Sequence, residues 1–239
     1  MRVRQFIAGA ALLAIAGCAA PAAANISAAN TSAPSARPAH IARVADNGTR
    51  SATLSVLSGA ASVTITAARM PGTLARAWTP AASGVRPELV AVNGTVQVYL
   101  GSTGQSGPDA VWIQVSSAVR WQLQLSGGAS QTTIQMQNGR LGGIDFTAGS
   151  SLITAELPRP AGLVTLTLAG GASQFNITVP ADVPAQLQLY GGASQAVLAG
   201  HVYSGIGGGT ILTSPGWDTA RNRYDLDATS GVSQVTVTG

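Results

Sequence analysis

Lysine is absent from this chain, cysteine occurs once, histidine twice, and charged residues of every kind fill only 9% of 239 positions. Soluble domains usually carry about 25%. Each shortage removes a class of explanation. A single cysteine, Cys18, forms no internal disulfide, so burial and hydrogen bonding must hold the fold. His40, His201 and Cys18 together do not make a zinc site of the usual kind, and no metal or other cofactor is expected. The cations are 13 arginines, scattered singly against 9 acids. Nucleic-acid binding calls for clustered cations and aromatic or groove-reading elements, so no nucleic-acid partner is expected. No long stretch carries a helical period.

What remains is alternation and repetition. Gly127-Gly128-Ala129-Ser130-Gln131 returns at Gly170-Gly171-Ala172-Ser173-Gln174 and at Gly191-Gly192-Ala193-Ser194-Gln195, with weaker copies at Gly59–Val63 and Ser230–Gln234. Each copy separates two short alternating stretches, as in Trp121-Gln122-Leu123-Gln124-Leu125. Alternation puts the aliphatic side chains on one face and Gln or Thr on the other. The fourth residue past each serine is apolar: Ile134, Ile177, Leu198 and Val237.

Ser130 and Ser173 are 43 residues apart, and Ser173 and Ser194 are 21 apart. A degenerate copy at Ala148–Leu152 halves the longer interval. A copy at Gly208–Ile211 is expected to divide the interval between Ser194 and Ser233. A period near 21 residues predicts an all-β fold, a parallel β-solenoid of about eight or nine coils. Glycine then serves corners through its access to positive φ, and the small side chains avoid crowding the next coil. The alternative is antiparallel: Leu123–Met136 folds back as a hairpin, and stacked hairpins make a sandwich. Residues 67–84, with Pro71, Gly72, Pro80 and Gly84, read as a loop excursion. Ser214–Arg221 reads as a second departure, with Asp218 capping a short helical turn and Trp217 closing the end of the core.

Arg2 and Arg4 precede an apolar run, Phe6–Ala16, that is too short for a permanent membrane span. It ends in Ile15-Ala16-Gly17-Cys18, which resembles the lipobox of bacterial lipoproteins, with Ile where Leu is commoner. The resemblance implies that residues 1–17 are a lipoprotein signal peptide and that Cys18 is lipidated, anchoring the chain to the outer face of the membrane. A plain secretory signal cut nearby is the alternative. Residues 18–45, rich in Ala, Pro, Ser and Thr, read as a disordered tether that includes His40. Residues 46–239 read as the folded domain.

Catalytic chemistry finds little footing. The recurring Gly-Ala-Ser-Gln segments lack the final glycine of a nucleophile elbow, and an active serine need occur only once. Gly207-Gly208-Gly209-Thr210 lacks the lysine of a phosphate loop. His201 reads as a surface histidine. The best enzymatic lead is Asp225 and Asp227, which share one strand face, since paired carboxylates cleave glycosidic bonds when held about 5–10 Å apart. Asp145, Glu156 and Asp182 fall on separate coils. The alternative is that the pair solvates an outer face beside Arg221 and Arg223. Gln131, Gln174, Gln195 and Gln234 occupy matching positions, so their amides are expected to align where coils are adjacent; they are weak candidates for a binding surface. Gln122, Gln124, Gln186, Gln188, Thr165, Thr167, Thr178, Thr236 and Thr238 predict a flat, uncharged exterior suited to weak multivalent contact with a cell-wall glycan or a surface protein.

The glycine-rich coils, Ser-Gly-Val-Arg-Pro-Glu-Leu at 83–89, Ser-Pro-Gly-Trp-Asp at 214–218 and the closing Tyr-Asp-Leu-Asp-Ala-Thr-Ser-Gly-Val-Ser-Gln-Val-Thr-Val resemble secreted actinobacterial proteins of unknown function. Their β-solenoid domain is similar to the "putative adhesin" domain and to the C-terminal domain of LiaF-type envelope-stress proteins. The resemblance covers residues 46–239. It implies surface attachment and supplies no catalytic residues. The expectation is therefore a non-enzymatic, adhesin-like envelope lipoprotein. A carbohydrate-active β-helix and an envelope-stress regulator are the alternatives.

Overall fold

The computed structural model describes residues 38–239; the signal segment, Cys18 and most of the predicted tether lie outside the described residues. Nineteen strands follow one another: β1 (Pro38–Ala45), β2 (Ser51–Val56), β3 (Ala60–Ala68), β4 (Thr73–Pro80), β5 (Val85–Val92), β6 (Thr95–Ser102), β7 (Ala110–Ser116), β8 (Arg120–Leu125), β9 (Ala129–Gln135), β10 (Arg140–Phe146), β11 (Ser150–Glu156), β12 (Leu163–Leu168), β13 (Ala172–Thr178), β14 (Ala185–Leu189), β15 (Ala193–Leu198), β16 (His201–Ile206), β17 (Thr210–Thr213), β18 (Arg223–Ala228) and β19 (Val232–Thr238). Two sheets enclose one core. The first runs β1-β4-β7-β3-β9-β11-β13-β19-β15-β16 and the second runs β17-β14-β18-β12-β10-β8-β2-β6-β5.

Between their ends both sheets are parallel. Seven rungs each contribute one strand to the second sheet, turn a corner, and contribute the next strand to the first: β2–β3, β6–β7, β8–β9, β10–β11, β12–β13, β14–β15 and β18–β19. This is a parallel β-solenoid flattened into two layers. The alternative, a hairpin at Leu123–Met136, does not form, because β8 and β9 belong to opposite sheets.

Alternation sets the core. Leu54, Leu123, Ile144, Leu166, Leu226 and Leu187 stand in register from β2 to β14, all fully buried. Opposite them, Ile134, Ala155, Ile177, Val237 and Leu198 form a second column. Burying each Leu or Ile contributes about 1.5–3 kcal/mol. Phe146 and Phe175 meet edge to face across the core, 5.8 Å between centroids. Two buried polar tips find acceptors: Trp121 Nε1–H donates to Ser116 O (2.9 Å) and Tyr224 O–H to Pro158 O (2.7 Å).

The corners stack as predicted, and for a different reason. Gly127, Gly170 and Gly191 do not adopt positive φ. They are glycine because the neighbouring rung's backbone occupies the space of a side chain. A Cβ on Gly127 would stand 2.7 Å from Gly59 N, and one on Gly170 2.6 Å from Gly149 N. Gly192 does need the left-handed region, at φ +76°.

Rung order departs from chain order at both ends. The first rung in the chain, β2–β3, lies between β6–β7 and β8–β9, and the last, β18–β19, is inserted between β12–β13 and β14–β15. Antiparallel strands close each end: β1 and β4 with β5 at one, and β16 with β17 at the other. The count of eight or nine coils therefore falls to seven. Gly208–Ile211 is no further coil; it lies in and just before β17, which with β16 runs backwards along the β14–β15 rung.

Two loop assignments are also corrected. Residues 38–45 form β1, although their short, Ala-rich alternation carries no strong signal of its own; pairing with β4 supplies the missing hydrogen bonds. His40 thus sits in a strand. Residues 73–80, inside the expected loop excursion, form β4; Pro71 and Gly72 make the turn before it and Pro80 ends it. Residues 215–219 fold as tight turns, with no helix for Asp218 to cap. Trp217 is buried there, under the Arg223 guanidinium at 4.7 Å, and Arg223 donates to the carbonyls of Trp217 and Ala220.

Candidate functional site

The predicted polar exterior is two faces, one per sheet. On the first sheet, Gln174, Gln234 and Gln195 are consecutive partners, and Gln234 Nε2–H donates to Gln195 Oε1 at 3.0 Å. The expected amide alignment is present across these three rungs. Leu152 stands between Gln174 and Gln131 and breaks the row. Thr178 and Thr238 are partners farther along the same face, with Thr236 beside Asn176. Gln122, Gln124, Thr165, Thr167, Gln186 and Gln188 lie on the other sheet, so these residues do not share one surface. Ser130, Ser173, Ser194 and Ser233 are exposed at the starts of strands β9, β13, β15 and β19, the place of corner residues.

The carboxylates gather on the second sheet. Asp145, Thr167, Asp227 and Gln188 form one row across β10, β12, β18 and β14. Asp225 lies two residues before Asp227 on the same face, half-buried. Gln188 Nε2–H donates to both oxygens of Asp225 (3.0 and 3.1 Å), and Gln122 Nε2–H donates to Asp145 Oδ2 (3.0 Å). Burial first, then the like charge of Asp225, raises the pKa of Asp227 above the usual carboxylate range. Its Oδ1 is buried without a hydrogen-bond partner. Arg223 shares the face but spends its guanidinium on Trp217 and the neighbouring carbonyls, so it does not neutralise the pair. Glu156 lies on the first sheet in β11. Asp182 is exposed and pairs with Arg159 at 2.7 Å, which lowers its pKa through the hydrogen bonds it accepts. Among the described residues no three His, Cys, Asp or Glu side chains are placed to hold a metal ion. His201 is exposed on the edge strand β16.

One further grouping of side chains was not anticipated. It lies on the outer face of the first sheet, where β1, β4 and β7 run side by side. Ile41, Trp78 and Trp112 are consecutive partners across these strands, and Arg43, Arg76 and Gln114 are the next such row. The two indoles are half-buried, 21° from parallel, with centroids 6.4 Å apart. The Arg76 guanidinium lies 4.9 Å from the Trp78 ring centroid and donates from Nη2 to Gln114 Oε1 at 2.7 Å. Arg43 and Arg69 are exposed beside it. A shallow hollow of about 380 Å³ is lined by Arg43, Arg69, Arg76, Thr73, Gln114 and, at and just past the end of β3, Ala68 and Met70. The alternation Arg76-Ala77-Trp78 and Trp112-Ile113-Gln114 was the available signal, since it leaves Trp and Arg on the face opposite the aliphatics.

No protein-family model and no curated protein matches the sequence. Among solved structures, a "putative cell adhesion protein" from Clostridium sporogenes superposes with a TM-score of 0.58 at 14% identity, covering 84% of this chain and 100% of that one. A "putative adhesin" from Bacteroides fragilis aligns over 82% of this chain and 96% of that one at 8% identity, with a TM-score of 0.23. The first match establishes a shared fold; the second carries no weight.

Proposed function

We propose that this chain is an envelope lipoprotein whose solenoid is a non-catalytic, adhesin-like binding or scaffolding module on the extracytoplasmic side of the membrane. The carrying observation is the pair of long outer faces, on which polar side chains repeat in register from rung to rung. Such a surface suits repeated weak contacts with an extended partner, a cell-wall glycan or a surface protein. The shared fold with a protein described as a "putative cell adhesion protein" supports the same reading. Lipid on Cys18 would supply the membrane attachment.

Four experiments test this. Retention of the full chain on cell walls stripped of membrane lipid, unchanged by Asp225→Asn with Asp227→Asn, supports a binding module. Polysaccharide turnover that vanishes in that double variant replaces it with a carbohydrate-active enzyme. A chain that is not retained, but whose deletion shifts an envelope-stress reporter, belongs instead with the LiaF-type regulators. Globomycin-sensitive processing that is lost in Cys18→Ala tests the anchor.

A further inference from the structure

We infer that the Trp78–Trp112 pair and the hollow beside it form a binding site for an anionic glycan, a saccharide whose ring lies against the indoles and whose carboxylate or phosphate sits among Arg43, Arg69 and Arg76. This rests on the binding-module reading and gives it a ligand class.

Three observations carry it. First, two indoles are left half-exposed on the outer side of a sheet, where Trp121 and Trp217, the other two tryptophans, are buried. A saccharide ring offers a face of C–H groups that packs on an aromatic surface, while its hydroxyls keep their hydrogen bonds at the rim. Second, Arg43 and Arg76 are direct partners on antiparallel strands. Like charges in that position destabilise a sheet, and no carboxylate lines the hollow to offset them. None of the three arginines makes an ion pair among the described residues, and the 37 residues that precede β1 contain no Asp or Glu. The missing anion is therefore to be supplied from outside the chain. Third, Arg76 is already committed to Trp78 and Gln114, which holds the indole in place. Arg43 and Arg69 keep their guanidinium forks for the ligand, and that fork matches a carboxylate or a phosphate through two parallel hydrogen bonds. Arg76 is thus a positioning residue with some direct charge, and Arg43 and Arg69 are contact residues.

The test is a titration of the full chain with tetragalacturonate, with a phosphomannan fragment, and with neutral mannotetraose, read by calorimetry and by tryptophan fluorescence. The buried Trp121 leaves the surface pair to report the site. Expected results are binding of at least one acidic probe about tenfold or more tighter than the neutral one; about tenfold weakening in Trp112→Ala; and several-fold weakening in Arg43→Gln and Arg69→Gln and on raising NaCl from about 0.05 to 0.3 M. Arg43 and Arg69 are exposed, so those variants stay folded even where Trp112→Ala does not. The acidic probe that binds more tightly names the anion. Equal affinity for the neutral probe, or acidic binding unchanged in the double variant Arg43→Gln with Arg69→Gln, overturns the site. So does arginine-dependent binding of phosphatidylglycerol vesicles with no saccharide binding. Retention on the stripped cell walls that persists in the double variant while the probes fail sinks this inference alone; loss of retention in the unaltered chain sinks the module reading beneath it.

Discussion

Gly170 and Gly171 are neighbours in one corner, neither adopts positive φ, and the same substitution should affect them in opposite ways. A Cβ on Gly170 would overlap the carbonyl of Ala148 and stand 2.6 Å from Gly149 N, all of it backbone of the adjacent rung. Backbone there cannot rotate aside, as both strands that leave that corner, β10 and β11, are held in their ladders by parallel neighbours. The rungs must part locally, so overpacking of this kind costs about 1–3 kcal/mol or more. A Cβ on Gly171 meets only Gly231 O, at 3.4 Å, an ordinary contact. There Gly→Ala removes unfolded-state freedom and stabilises by up to about 0.4–1 kcal/mol. Thermal and urea unfolding of the full-length variants checks this. At about 2–4 °C in Tm per kcal/mol for a domain of this size, Gly170→Ala should fall by about 2–12 °C while Gly171→Ala stays level or rises slightly. Equal losses at both positions would refute the claim that rung-to-rung approach, rather than corner conformation, selects these glycines.

Asp227→Asn should stabilise the chain at neutral pH. Because burial and Asp225 raise the folded-state pKa of Asp227, ionisation opposes folding, so the penalty is absent below the unfolded value of about 4, grows as pH rises, and is complete above the folded value. The gain, under about 1 kcal/mol because the group is partly solvated, should disappear in urea titrations near pH 3; a gain independent of pH would contradict the cause given. Tyr224→Phe leaves Pro158 O without its buried donor and should lower unfolding free energy by about 1–3 kcal/mol; an unchanged urea midpoint would show that water reaches that carbonyl. Removing residues 200–213, whose ends lie near one another beside Leu198 and Ser214, uncovers β14 and β15 as unpaired edges and should raise self-association in light scattering above that of the unaltered chain. A product no more associated than that chain would mean that the two antiparallel strands serve something other than edge protection.

The rungs were legible because two independent periods coincide in them. Period two places Leu123 and Leu125 inward with Gln122 and Gln124 outward, and a period near 21 brings the corners at Gly128, Gly149 and Gly171 into contact. Neither period reports which rung lies beside which. The interval of 39 residues from Ser194 to Ser233 fits two coils by length, yet it holds two backward strands and a rung that slots in on the far side of β14–β15, between it and β12–β13, and nothing local distinguishes the two cases. The closing strands were hidden for a related reason. β1 and β4 are stabilised by partners distant in the chain, and their own composition, Ala-rich in one and bounded by Pro71 and Pro80 in the other, carries the marks of a tether and a loop.

The tryptophan face was out of reach on the same grounds. Trp78 and Trp112 are 34 residues apart, and their contact exists because β4 pairs antiparallel with β7 and does not follow β3 directly in the sheet. A reading that assigns residues 67–84 to a loop places Arg76 and Trp78 off the sheet and leaves three scattered arginines that look like random surface charge. The strand pairing turns them into a cluster without a counter-charge. In a chain this poor in charge, where Arg159 and Asp182 form the one ion pair among the described residues, three cations around a hollow whose lining holds no carboxylate mark a place where an anionic partner is to be sought.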